Sequence, residues 1–221
     1  MHVEIEAWAA RWREGRIGFH QPAVNQELQV HWPTIVRDTA ARVLVPLCGK
    51  TTDMLWLHQR GHSVLGVELS TLAAASFFKE NQLEVEHSEQ DGFEIFRGIG
   101  AAMGIEIWCG DFFRLSAAQV GPIHAWYDRA ALVALPPELW GAYASKLAEL
   151  LQPDAAALML TFEYAQEQRK GPPYSVSFKD ACGQFGEGFD VTLLETLDLT
   201  EGNKWDLSWV HEPVMSLTRS R

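Results

Sequence analysis

The sequence predicts an α/β domain built on a doubly wound, mostly parallel sheet that ends in an antiparallel hairpin. Three observations carry this expectation. Short β-branched runs alternate with helix-period runs along most of the 221 residues. Residues 42–70, RVLVPLCGKTTDMLWLHQRGHSVLGVELS, read as one complete strand–turn–helix–strand unit. Two late runs, Val191 to Leu199 and Trp205 to Leu217, flank the turn signal Gly202-Asn203.

In the central unit, Arg42 to Leu47 is apolar enough for a buried parallel strand. Cys48-Gly49-Lys50 makes the turn. Thr51 and Thr52 offer capping hydroxyls, Asp53 sits in the first helical turn, and Met54, Leu55 and Leu57 give the helix its apolar face. Gly61 ends it. His62 to Val67 is the next strand, with Glu68 at its carboxyl end. An acid about 20 residues beyond a glycine turn is where a ribose hydroxyl would be gripped, so adenosine-containing cofactors are the first candidates.

The other elements follow in order. Residues 4–13 read as a short amphipathic helix, Ile17 to Asn25 as irregular, and Val24 to His31 as a helix stopped by Pro33. Thr71 to Asn81 is a helix capped by Ser70, and residues 84–104 read as a hairpin or loop insertion. Ile105 to Cys109 is a strand followed by the turn Gly110-Asp111-Phe112-Phe113. His124 to Tyr127 is a strand leading into Asp128-Arg129, and Pro136-Pro137 opens a helix that runs to Leu151. Ala155 to Phe162 is a buried strand, Glu163 to Tyr174 a polar loop, and Phe178 to Phe185 a helix. The turns at Gly49, Glu68, Asp111 and Arg129 all fall at carboxyl ends of strands, where open α/β sheets bind ligands. Neither a linker nor a repeat divides the chain, so one domain over 1–221 is expected.

Composition narrows the classes. A formal net charge of -11 without a basic cluster argues against nucleic acid and anionic membranes as partners. The N-terminus lacks the apolar core of a signal peptide, and no apolar run is long enough to span a bilayer. Three widely spaced cysteines without zinc spacing read as reduced thiols of a cytoplasmic protein. Of the nine tryptophans, Trp8, Trp12 and Trp32 crowd the first quarter. They can be core, or aromatic faces that cover an adenosine or a sulfonium.

The glycine turn separates the cofactors. A dinucleotide pyrophosphate needs close backbone approach, which a G-x-G-x-x-G turn permits. Here Gly49 stands alone behind Pro46, Leu47 and Cys48, which argues against a nicotinamide oxidoreductase. S-adenosylmethionine carries no phosphate and tolerates a bulkier turn, while Glu68 would still take ribose hydroxyls and Asp111 could lie by the adenine edge.

These same residues carry a family resemblance. The strings RW, IGFH, VLVPLCGK, DM, GH, GVELS, CGDFF, YDRAALVALPP, EY and GPP occur in the order found in the thiopurine S-methyltransferases, with the bacterial branch the more similar. The likeness runs from Trp8 to Tyr174. It implies a Rossmann-like class I methyltransferase with a seven-stranded sheet, S-adenosyl-L-methionine as donor, S-adenosyl-L-homocysteine as product and a monomeric state. It implies that residues 1–35 form a cap over the cofactor, with Trp12 covering it. Leu47 and Gly49 would line the methionine part, Glu68 the ribose, and Gly110 with Asp111 the adenine. Arg129 would lie where cofactor and acceptor meet, and Phe19 and His20 in the acceptor pocket. Relatives are associated with thiopurines, other aromatic or heterocyclic thiols, and selenium or tellurium species. The likeness thins after residue 174. Family members commonly carry an arginine near the final hairpin, where this chain has LTEGNKWDLSWVHEP and Lys204 as the nearest cation.

The chemistry expected is in-line methyl transfer to an anionic sulfur. An aromatic thiol is acidic enough to need no strong base, so Arg129 is the candidate for acceptor positioning and no general base is assigned. Asp128 is expected to pair a cation or cap the next helix, His20 to pack, and Cys48 to be a small packed residue. The competing class is a non-catalytic sensor of the same fold that binds adenosine ligands without turnover.

Overall fold

The computed structural model describes residues 2–220, with side chains from residue 6 onward. The chain forms two compact units. The first takes the residues up to Val30 together with Arg37–Leu115; the second takes His31–Val36 and the residues from Ser116.

The first unit contains α1 (His2–Arg13), the opening turns of α2 (Gln26–Ile35), β1 (Arg42–Pro46), α3 (Asp53–Gln59), β2 (Ser63–Glu68), α4 (Thr71–Glu80), β3 (Val85–Gln90), β4 (Phe93–Gly98) and β5 (Ile105–Cys109). Its strands lie in the order β3-β4-β5-β2-β1. β1, β2 and β5 are parallel, with Val43 opposite Val64 and Val64 opposite Ile105. Buried on both faces, β2 reads as a continuous apolar run. Ser70 caps α4 as expected, its hydroxyl accepting from the Ala73 amide. The insertion at 84–104 is a hairpin: β3 pairs antiparallel with β4, and β4 with β5. β3 is nearly all exposed and rich in charge, the composition that keeps a sheet edge from pairing with another chain.

The second unit contains α5 (Ala117–Val120), β6 (Ile123–Arg129), α6 (Trp140–Leu150), β7 (Leu151–Leu160), α7 (Phe178–Phe185), β8 (Phe189–Asp198) and β9 (His211–Arg219). β6 and β7 are parallel, and β9 pairs antiparallel with both β7 and β8. Trp126 and Tyr127 on β6 are buried, Trp126 edge-on to Phe189 and Tyr127 edge-on to Trp32. The seven expected strands are present, and the β3–β4 hairpin brings the total among the described residues to nine.

Two local expectations are corrected. Pro33 lies inside α2, which continues to Ile35. Proline forfeits one backbone hydrogen bond, but Leu28 and Trp32 on this helix are almost fully buried, and the Val36 amide still bonds to the Trp32 carbonyl. Likewise, β9 begins at His211 rather than at Trp205, so Gly202-Asn203 is not a tight hairpin turn. Residues 199–210 instead fold on a small core of Tyr164, Leu207 and Val210, with Phe162 and Trp205 against it. The Asn203 carboxamide accepts from the Trp205 and Leu207 amides and donates to the Thr200 carbonyl, which stitches that loop together.

Candidate active site

In the first unit, three strand ends meet at Glu68. The Gly49 amide donates to Glu68 Oε2 at 2.8 Å, the Ser70 amide to Oε1 at 2.8 Å, and the Gly110 amide to the Glu68 main-chain carbonyl at 2.9 Å. The sequence places these residues far apart; parallel pairing of β1, β2 and β5 brings them together. Glu68 is only 7% exposed. Burial raises its pKa above the ordinary value, and the Ser70, Gly49 and Leu69 amides pull it back. Each carboxylate oxygen has a second lone pair to offer beyond its amide.

The turn before Glu68 is shaped by backbone conformation. Leu47 has φ of 48° and Gly49 of 55°, both left-handed. A Cβ on Gly49 would stand 3.0 Å from the indole of Trp12, so the absent side chain is what lets that ring seat on the turn. Trp12 is buried; its ring is edge-on to Phe19 at 5.5 Å, and Phe19 is edge-on to Trp8 at the same spacing. His20 is half-buried and closes a turn through its amide, which donates to the Ile17 carbonyl. Downstream, the Asn25 amide donates to the buried Asp53 carboxylate at 2.8 Å, and the Asn25 side chain accepts from the Leu28 amide, capping α2. That pair moors the N-terminal segment to α3. Asn25 standing just ahead of a helix was the readable signal for it.

Gly110 and Asp111 are placed by packing and capping. A Cβ on Gly110 would stand 2.5 Å from the Phe93 ring, so this glycine admits Phe93 against the strand end. The Asp111 carboxylate accepts from the Phe113 amide at 2.9 Å. Cys48 is a buried packing residue: its sulfur occupies the space a Cβ on Gly66 would need, and burial followed by the Glu68 charge drives its thiol strongly toward the neutral form. Thr52 holds the cap position of α3 without a side-chain capping bond, contrary to the hydroxyl's expected use, because its backbone is already helical.

In the second unit, Arg129 ends β6 and is half-buried. Asp128, beside it, is fully buried. Its Oδ2 accepts from the Tyr143 hydroxyl at 2.7 Å and its Oδ1 from the Leu132 amide at 3.2 Å. It therefore closes the turn after β6, in which Ala130 has φ of 63°. This is the capping role expected for it, and it leaves Asp128 inaccessible as a base. Burial raises its pKa to about 6 despite the bonds from Tyr143, Leu132 and Ala131. Tyr143 carried no sequence signal, since only the packing of α6 brings it to β6.

The strand-end turn closed on a buried acid, with an aromatic cap, belongs to a class I methyltransferase fold. Solved structures agree. The chain resembles a 1,6-didemethyltoxoflavin-N1-methyltransferase of Burkholderia thailandensis, solved with S-adenosylhomocysteine, at a TM-score of 0.64 and 16% identity, covering 100% of this chain and 88% of that one. It also resembles a magnesium protoporphyrin IX methyltransferase of Synechocystis, likewise solved with S-adenosylhomocysteine, at 0.65 and 14%, covering 98% and 100%. The sequence model for thiopurine S-methyltransferase matches residues 3–220. A thiopurine S-methyltransferase of Pseudomonas fluorescens is 46% identical over 92% of this chain and 91% of its own length. The chain belongs to the thiopurine S-methyltransferase family, and its methyl donor is S-adenosylmethionine. Among the described residues, no helix is long and apolar enough to cross a membrane.

Proposed function

We propose that this methyltransferase acts on the sulfur of aromatic or heterocyclic thiols, taken up as thiolates, and that the same site accepts soft selenium and tellurium nucleophiles. One observation carries the reading: Glu68 is buried yet held by two amides, with Gly49 and Trp12 against the same turn. That arrangement fits the donor. The free lone pairs of Glu68 can accept from a ribose diol, and a lone glycine suffices because no pyrophosphate must approach.

Bound S-adenosylmethionine supplies a methyl group activated by a sulfonium sulfur. The chain's own residues hold and align. In this reading Glu68 grips the ribose, Leu47 and Gly49 border the methionine part, and Gly110 with Asp111 border the adenine. Trp12 covers the cofactor and excludes water. Phe19 and His20 border the acceptor, and Arg129 binds it as its anion. Holding two partners aligned can contribute several kcal/mol, about 7 at the lower end of the effective-molarity range. A thiolate needs no strong base, which agrees with the inaccessible Asp128. The N-terminal residues to about 35 act as the cap, and the acceptor is a small molecule.

The test is calorimetric titration with S-adenosylhomocysteine, followed by methyl transfer to thiophenol in the same preparation. Glu68→Ala is expected to lose roughly 1.5–3 kcal/mol of affinity, the range for a hydrogen bond to a charged group. Arg129→Ala is expected to lose turnover while keeping the fold. Unchanged affinity in the first variant removes Glu68 from the site; full activity in the second removes Arg129. Binding without turnover in the unaltered protein would favour a sensor.

A further inference from the structure

In the first unit, a ring of contacts runs through the Glu68 carboxylate. The Gly49 amide holds Oε2 and the Ser70 amide holds Oε1. Ser70 also caps α4, its hydroxyl accepting from the Ala73 amide at 3.3 Å. α4 presses Ala73, Ala74, Phe77 and Phe78 into the core, which makes the helix a fixed arm. At its far end, Glu80 receives the ammonium of Lys50, which donates to both carboxylate oxygens, at 2.7 and 2.8 Å. Lys50 follows Gly49 in the chain, so the ring closes there: turn, Glu68, Ser70, α4, Glu80 and back to the turn.

The Lys50 side chain is only 12% exposed, unlike an ordinary surface lysine. The ten residues of α4 span about 15 Å, so a lysine that starts beside Gly49 lies extended along the helix to reach Glu80. It carries its charge toward the end of α4 opposite Ser70. Glu80 stands in the last turn of α4, where the helix dipole disfavours an acid, and a cation drawn there from the turn offsets that cost. The turn itself needs holding. Leu47 has φ of 48°, a left-handed conformation that costs a non-glycine residue free energy and persists where its surroundings fix it. The Lys50–Glu80 pair fixes the chain three residues further on.

We infer that Lys50 and Glu80 form a positioning pair that holds the 47–50 turn in the conformation that takes S-adenosylmethionine. The inference rests on the reading of Glu68 and Gly49 as the donor site. Lys50 acts through Gly49, whose amide orients Glu68, and Glu80 acts through Lys50. Tying the turn to α4 sets the carboxylate before the donor arrives, so that donor binding does not have to order the turn. Because Glu80 is half exposed, the tie is modest and weakens in salt.

The experiment titrates S-adenosylhomocysteine by calorimetry into the unaltered protein, Lys50→Met, Glu80→Gln, the double variant, Lys50→Arg and Glu68→Ala. It adds amide hydrogen exchange of residues 47–51 in the ligand-free proteins, and steady-state kinetics with thiophenol. Lys50→Met and Glu80→Gln are each expected to raise the S-adenosylhomocysteine Kd about threefold to fivefold, the upper end of the range for a partly exposed ion pair. The double variant should match the single ones, because the same tie is lost. Without ligand, the turn amides should exchange faster by a similar factor. KM for S-adenosylmethionine should rise while kcat and the KM for thiophenol at saturating donor hold, and Lys50→Arg, which keeps the charge, should recover part of the loss. Unchanged Kd and exchange in both single variants, with Glu68→Ala weakened, overturn the pair and leave the donor site standing. Unchanged affinity in Glu68→Ala removes the donor-site reading, and the pair with it. Weakening in Lys50→Met but not in Glu80→Gln also overturns the pair, because the lysine would then act on the donor directly. Should Lys50→Met fail to fold, Glu80→Gln, altered at a side chain 53% exposed, still decides.

Discussion

Asp128 shows how one buried carboxyl can tie pH to stability. Its ordinary pKa is 3.8, and burial raises it to about 6 in the folded protein. Between those values the folded state binds the proton more tightly than the unfolded chain. Stability therefore falls as pH rises through that window, by about 3 kcal/mol in total from well below the lower value to well above the upper one, and the cost is fully present above the folded value. Asp128→Asn has no such ionisation. Relative to the unaltered protein, its unfolding free energy in urea is expected to gain roughly 2–2.5 kcal/mol between pH 4 and pH 7. A difference that does not change with pH would show that the carboxyl ionises at no cost. The thiols follow the same physics of burial: desolvation pushes both Cys109 and Cys48 strongly upward, so both are packing groups rather than nucleophiles.

Among the elements, α1 and the irregular segment after it form the cap in the function proposed above. Trp12 is buried against Gly49, while residues 13–16 are exposed and include Arg13 and Arg16. The Asn25–Asp53 pair fixes the far end of the segment. A short helix held by one buried aromatic ring and a downstream mooring opens locally at low cost. Trypsin is therefore expected to cut after Arg13 and Arg16 in the free protein. S-adenosylhomocysteine at 100 times its Kd should slow that cutting by up to about 100-fold, if cutting proceeds through the opened form. Cleavage at the same rate with and without ligand would exclude a cap. The connection between β8 and β9 is the element most misread from sequence. Gly202-Asn203 has the composition of a hairpin turn, but Trp205 and Leu207 have a core to join, and burying them outweighs a shorter loop.

For the molecule as a whole, ligand binding and folding are linked. Because Glu68, Gly49 and Gly110 meet only when β1, β2 and β5 are paired, the unfolded chain has no site. S-adenosylhomocysteine at 100 times its Kd is expected to raise the unfolding free energy by about 2.7 kcal/mol, read as an upward shift in Tm. A Tm independent of the ligand would contradict a site built by the fold.

The sequence by itself determined the α/β class, the β1–α3–β2 unit, the Ser70 cap and the strand-end positions of Glu68, Asp111 and Arg129. These are local properties: period, turn chemistry and capping depend on neighbours within a few residues, so they are written along the chain. Only the tertiary structure decided that Glu68 is held by Gly49 and Ser70, that Tyr143 locks Asp128, that Pro33 stays inside α2, and that Lys50 pairs with Glu80. Each of these depends on groups or packing brought together by strand pairing and by the docking of α4 and α6. Most of these contacts join residues from different elements and leave no period or spacing to read, because the free energy that selects them, burial of apolar surface and satisfaction of buried polar groups, belongs to the folded whole.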